Sequence, residues 1–334
     1  MKTKFLLAVK NGLINGLSTA LLLFRIVLPV FVIVAFIGYT DVYLLIASKL
    51  EPAMRIFGLP GEAGVSLIVG AFSDEYAVVA AMKPFSFSQA QITVIAMFTL
   101  YFHSIPVETI ISKKIGIPPL KIALFRFVMA VLTGIVVSYL ASVFLGGTPP
   151  SFLPQPAGET GAGSGFSGSF GFNTGFSELF PKLGLGVLNM AFTLLRVLIP
   201  MMIVIELMFA YNIVEILARK LSPVCRLFRI SKDALIPLLV GFLLGITYGV
   251  GAIMELNRKK PLSARDLWML GVFLFSCHGI IETTYLFAVA GGSAIFVSGV
   301  RLLIAIAVTA LMARLPIGMN EGNEKRGKLA NRQQ

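Results

Sequence analysis

Charged residues are scarce in this chain. They fill 13% of its 334 positions, against about 25% in a soluble domain, and apolar residues fill 57%. That balance excludes the ordinary soluble class and points to a membrane protein. Cysteine is nearly absent. Cys225 and Cys277 stand at unrelated places, which excludes a disulfide framework and a paired-cysteine zinc motif. There is no phosphate-binding Gly-Lys-Ser/Thr loop, no nucleophile elbow and no two-histidine zinc helix. An enzyme is therefore not expected, and no cofactor is implied. The net charge of +12 lacks the aromatic-basic stripe of a nucleic-acid binder. Its residues form short clusters between apolar runs, as in loops that face the cytoplasm and its anionic lipid. Residues 1–18 are basic, but Arg25 and Pro29 interrupt the apolar run that follows, with no clean small-residue cleavage site after it. The first helix is expected to be retained rather than removed as a signal peptide.

What is present is a repeat. Ala47-Ser48-Lys49-Leu50-Glu51-Pro52 returns as Ala218-Arg219-Lys220-Leu221-Ser222-Pro223, Arg25 and Pro29 return as Arg196 and Pro200, and Gly70 returns as Gly241, all at a spacing of 171. With small gaps, Tyr76 and Met82 answer to Tyr248 and Met254, and His103, Glu108 and Arg126 answer to His278, Glu282 and Arg301. In so apolar a sequence, a tandem repeat of this size predicts two related membrane halves, as in many secondary transporters.

The predicted fold is an all-α polytopic membrane protein made of two inverted-topology repeats. Residues 1–145 form the first, 146–183 a Gly/Ser/Pro-rich extracytoplasmic linker, 184–314 the second repeat, and 315–334 a polar cytoplasmic tail. Each half opens with a long helix (12–40, 186–212) and an interfacial segment (41–57, 213–230). A hairpin (60–83, 234–256), a broken helix (88–112, 266–288) and a plain spanning helix (117–145, 293–314) follow. The hairpins are read as re-entrant, because Asp74 and Glu75 halfway along a lipid-facing helix would be costly. Each half then crosses the membrane three times, and the second is inverted. With the amino terminus cytoplasmic, twenty basic residues lie inside, four outside (Lys49, Arg55, Lys83, Lys182) and four within spans. That bias supports the orientation. Trp268 reads as an interface anchor.

Candidate functional residues follow from polar groups placed at helix breaks. His103-Ser104-Ile105-Pro106-Val107-Glu108-Thr109 pairs with His278-Gly279-Ile280-Ile281-Glu282-Thr283-Thr284. The i,i+4 spacing predicts His278 and Glu282 on one helix face, and Pro106 and Gly279 loosen the backbone beside them. Such groups can hold a solute or ion, or can pair with the intramembrane arginines. Cys277 could add a soft metal ligand or be an ordinary buried thiol. The hairpin tips add Ser73, Asp74, Glu75 and Tyr76 in one half and Thr247, Tyr248 and Gly249 in the other. Helix ends there offer free N–H groups to a ligand. Arg25, Arg126, Arg196 and Arg301 need partners inside a bilayer, and Glu206, which has no counterpart, reads as a lone counter-ion or a protonatable coupling site.

The repeated Arg-x-x-x-Pro, the Lys-Leu-x-Pro, the glycine-marked hairpins and the His/Glu broken helices resemble the nucleoside-recognition or Gate-domain membrane proteins. The order of segments resembles the core of concentrative nucleoside transporters, and the family also includes the membrane part of the ferrous-iron transporter. The resemblance covers about 12–314. It implies a transporter-like fold with its site at the hairpin tips and broken helices. The expected function is secondary transport of a small polar solute, nucleoside-like or otherwise, coupled to H+ or Na+. Two alternatives stay open: a non-transporting scaffold or accessory subunit of a Gate-domain complex, and a divalent metal permease. The expected setting is the cell membrane, multi-pass, with both termini cytoplasmic. Membrane lipids, a small polar solute, a coupling ion and either a homo-oligomer or a second Gate-type subunit are the expected partners; nucleic acid is not.

Overall fold

Long apolar runs leave the backbone no partner inside a bilayer but itself, so helices are the available solution. The computed structural model describes residues 2–37, 41–151 and 176–315. Among these there is no strand, and the helices fall in the predicted order. In the first half they are α1 (Lys2–Ile37), α2 (Asp41–Arg55), α3 (Gly61–Phe72), α4 (Glu75–Met82), α5 (Gln89–Tyr101), α6 (Ile105–Lys114) and α7 (Pro119–Phe144). In the second they are α8 (Phe176–Ala210), α9 (Ile213–Lys220), α10 (Ser222–Phe228), α11 (Leu235–Leu244), α12 (Ile246–Lys259), α13 (Ala264–Ser276) and α14 (Ile280–Val289). A π-helical turn (Ile295–Val300) then leads into α15 (Arg301–Met312). Among the described residues, six stretches are long and apolar enough to cross a membrane: Lys2–Ile33, Gln89–Lys114, Pro119–Phe144, Leu183–Ala210, Ala264–Val289 and Ile295–Met312. The protein is an all-α polytopic membrane protein. Most of the linker and the tail beyond 315 lie outside the described residues.

Several boundaries differ from the sequence expectation for local reasons. Helix α8 starts at Phe176 rather than near 186 and takes Pro181 into its second turn, past the N–H groups that have no acceptor in any helix, so it removes one backbone hydrogen bond near that end. The second interfacial segment divides at Leu221, just before Pro223, into α9 and α10. The first broken helix gives way at 102–104, ahead of Pro106, which sits in the first turn of α6. The last helix is not plain. Gly299 and the Ser298 hydroxyl, which donates to the Ala294 carbonyl at 2.7 Å, loosen the ladder there, and the π turn results. Capping boxes start both α5 (Ser88 with Gln91) and α13 (Ser263 with Asp266), so both broken helices begin the same way.

The molecule divides into two units. The first holds residues 1–105, 127–207 and 282–299. In it α2 packs along α3, α3 against α4 and α5, and α4 against α1. Ala47, Ala81 and Phe85 form a buried cluster there, flanked by Val30, Val65, Val69 and Phe87. A Cβ on Gly12 would lie 2.5 Å from the Ile203 Cα, so α1 and α8 touch backbone to backbone. The second unit holds residues 106–126, 208–281 and 300–334. In it α11 packs on α9, α12 and α13, and α15 on α10 and α13. Each unit thus takes one hairpin, the first half of the broken helix that follows it, and the second half of the other broken helix.

Candidate functional site

In the first unit, the α3–α4 hairpin turns at Ser73 and Asp74. Asp74 caps α4, its carboxylate accepting the Ala77 N–H at 2.8 Å. The helix break at 102–104 is tied to this tip through backbone. Ser104 sits in the left-handed region, at φ 48°. Its N–H donates to the carbonyls of Gly70 (2.9 Å) and Ser73 (2.8 Å), and its hydroxyl donates to the Ser73 carbonyl at 2.7 Å. His103 Nδ1 lies 3.0 Å from the Thr99 carbonyl. A carbonyl can only accept, so Nδ1 carries the hydrogen. Nε2 then faces the Glu75 carboxylate at 3.4 Å, and that contact is attractive only with a proton between the two. Tyr76 donates its hydroxyl to Glu282, which α14 brings into this unit.

The second unit repeats the scheme with different side chains. The α11–α12 hairpin turns at Gly245, φ 107°. Gly279, φ 57°, stands where Ser104 stands in the first half, and its N–H donates to the Gly241 carbonyl at 3.1 Å. The hairpin legs touch where Gly249 crosses Gly241: a Cβ on Gly249 would lie 2.6 Å from the Gly241 Cα. His278 Nδ1 meets the Leu274 carbonyl at 2.7 Å, and its Nε2 lies 3.7 Å from Glu108. Glu108 in turn pairs with Arg126 at 2.8 Å, both side chains buried. The Arg126 guanidinium also lies 5.7 Å from the centroid of the Phe275 ring. Arg301 is fully buried and donates from Nε to the Ser276 carbonyl at 3.1 Å.

One expectation needs correction. His278 and Glu282 do not share a helix face. His278 lies in the break at 277–279, outside α14: Cys277 is extended and ends α13, and Gly279 takes a left-handed conformation before α14 starts at Ile280. Of the four arginines, Arg126 and Arg301 are buried, and Arg25 and Arg196 are exposed on α1 and α8. A one-residue difference separates the two halves: His103 and Glu108 are five apart, His278 and Glu282 four. One residue turns a helical side chain by about 100°, and the matched glutamates have unlike partners, Arg126 for one and Tyr76 for the other.

Of the remaining candidates, Thr109 offers its carbonyl to the Ser112 hydroxyl at 2.8 Å, and Thr283 is buried on α14. Cys277 is a free, buried thiol at the second break. Thr247 and Tyr248 are exposed in the first turn of α12, while Gly249 is buried in the hairpin crossing. Glu206 is not alone, since Asn15 donates to it at 2.8 Å. Asn15 escapes a reading of charges, but it sits between Gly12 and Gly16 on the face of α1 that meets α8. The backbone acceptors at Gly70, Ser73 and Gly241 also escape, because no side chain marks them.

Comparison with known proteins places these features in a family. The Gate model, described as nucleoside recognition, matches twice, at residues 20–118 and 191–291. The sequence is 27% identical over 280 residues to the uncharacterized membrane protein YvoD of Bacillus subtilis (strain 168), covering 84% of this chain and 86% of that protein. No solved structure matches.

Proposed function

The chain belongs to the Gate family, and from that premise we propose that it is a secondary transporter of a small polar solute in the cell membrane, with both termini cytoplasmic, and not an enzyme. The observation that carries this reading is the doubled junction of hairpin tip and helix break. Each unit ties a hairpin carbonyl to a broken helix by a backbone bond and sets a histidine and a carboxylate beside it. Unwound backbone next to charged side chains is what discontinuous membrane helices use to bind solutes and coupling ions, and intramembrane ionisable groups mark such pathways. H+ or Na+ is the coupling ion, and a nucleoside-like solute is the first class to test.

A thermal-shift screen of the purified protein against nucleosides, amino acids, organic acids and divalent metals tests this reading. A ligand that binds only the folded state raises its apparent stability, by about 2.7 kcal/mol at a hundredfold excess over Kd. Uptake of the hit into proteoliposomes follows. A hit that is bound but never carried refutes transport.

The exposed Arg25 and Arg196 favour a second reading, that of an accessory subunit. Guanidinium groups on the outer faces of two membrane helices are costly in lipid and are matched by a partner helix carrying a carboxylate. Purification as a stable complex with a second Gate-type subunit, with no uptake by either protein alone, would favour it.

A further inference from the structure

The two matched glutamates have different electrostatic surroundings. Glu108 is balanced by the Arg126 guanidinium at 2.8 Å. Glu282 has no lysine or arginine beside it among the described residues. The titratable groups facing it are Tyr76, which donates to it, and the carboxylates of Glu75 and Asp74 across the hairpin tip. Behind them stands the His103 imidazole, paired with Glu75. Asp74, Glu75 and Glu282 are half-buried, and with one imidazole for three carboxylates full ionisation leaves unbalanced negative charge. A proton taken up at Glu282 removes one of those charges while the Tyr76 hydroxyl stays within hydrogen-bond reach.

Two further features indicate an exchangeable guest rather than a sealed pair. Thr99, whose carbonyl orients His103, has a buried hydroxyl with no hydrogen-bond partner among the described residues. That hydroxyl lies toward the hairpin, 3.9 Å from where a Cβ on Gly70 would be. Tyr76 also lines a cavity whose other walls include Val79, Ala80, Lys83, Thr193 and Leu286. Glu282's hydrogen-bond partner therefore takes part in the wall of a cavity.

We propose that Glu282 carries the coupling proton, with Tyr76 as the hydroxyl that gates it, while its repeat mate Glu108 is a fixed ion pair that carries none. The proposal rests on the transport reading and names the ion for it. The step is a plain proton transfer. A Glu282 carboxylate oxygen takes a proton from one side of the membrane and later gives it up to the other. The Tyr76 O–H, which donates to the carboxylate, turns so that its oxygen accepts from the carboxyl while it is loaded.

Infrared titration of the protein in lipid nanodiscs tests the proton site without any solute. The wild type is expected to show a protonated-carboxyl stretching band that titrates, and the Glu108→Leu/Arg126→Leu double variant, which removes the ion pair whole, is expected to keep that band. Glu282→Gln loses it, Glu282→Asp shifts it and serves as the folded control, and Tyr76→Phe moves its frequency by removing the hydroxyl. A band that survives Glu282→Gln, or a wild type with no titrating carboxyl, overturns the proposal. Proteoliposomes loaded with a pH dye test the coupling, with uridine as the nucleoside probe. Uptake should acidify the lumen with the wild type and not with Glu282→Gln. Uptake that needs Na+ and moves no protons overturns the coupling role but leaves transport standing. A wild type that carries no solute from the screen overturns the transport reading itself, and the coupling role with it. The infrared band, unaffected, tells the two failures apart.

Discussion

Glu108 shows how much rests on one buried partner. Its contact with Arg126 lies almost entirely out of solvent, so an uncompensated guanidinium is left behind if the carboxylate is removed. Breaking a buried pair at one end costs about 3–5 kcal/mol, whereas replacing both ends with apolar groups is often neutral. Glu108→Gln is therefore expected to lower the thermal midpoint in detergent sharply, and Glu108→Leu combined with Arg126→Leu to recover most of the loss. Cys225 offers a milder test at the same scale. It lies on α10, outside the candidate spans, and its Sγ is 3.8 Å from the Ser231 carbonyl. Burial pushes its thiol above the ordinary range, and the carboxylate of Asp266 adds to this against the opposing pull of Lys232. A raised thiol holds less thiolate at neutral pH. In a Cys277→Ser background, alkylation of Cys225 should run slower than that of free cysteine near pH 7 and climb with pH through the alkaline range. Mass spectrometry measures both rates.

At the scale of elements, the second hairpin depends on the contact between Gly241 and Gly249. A methyl group at Gly249 would meet backbone at 2.6 Å, which cannot rotate away. Gly249→Ala should destabilise the protein by about 1–3 kcal/mol, as overpacking does. Gly251→Ala, with nothing within 4 Å, should be neutral or stabilising by up to about 1 kcal/mol. Paired melting curves decide between them. The glycines are readable in the sequence, and so are the hairpins and broken helices. Gly or Ser interrupting apolar runs at matched places in both halves marks a turn that both halves need. The exact break near Pro106 is not readable, since a proline inside a helix and one at its first turn look alike in sequence. The histidine–glutamate spacing of five against four is also visible in the letters. Its effect is not, because which partner each glutamate meets depends on tertiary placement that no local pattern encodes.

For the whole molecule, three long apolar stretches in each half put the two repeats in opposite orientations if every one of them crosses the bilayer. Cysteines introduced at positions 115 and 260, in a protein freed of Cys225 and Cys277, are then expected to react with a membrane-impermeant maleimide from the same side. One introduced at position 83 should react from the other side. Labelling of 115 and 260 from opposite sides would mean parallel halves. The fold class is legible at this scale from composition alone. The way each unit takes the second half of the other broken helix is not, because packing between segments distant in sequence leaves no mark on either. The ties between hairpin and helix break run from a backbone amide to a backbone carbonyl, at Ser104 to Gly70 and at Gly279 to Gly241. A bond of that kind survives nearly any replacement of the surrounding side groups. Selection can therefore rewrite the chemistry at the junctions while the scaffold that presents them stays intact.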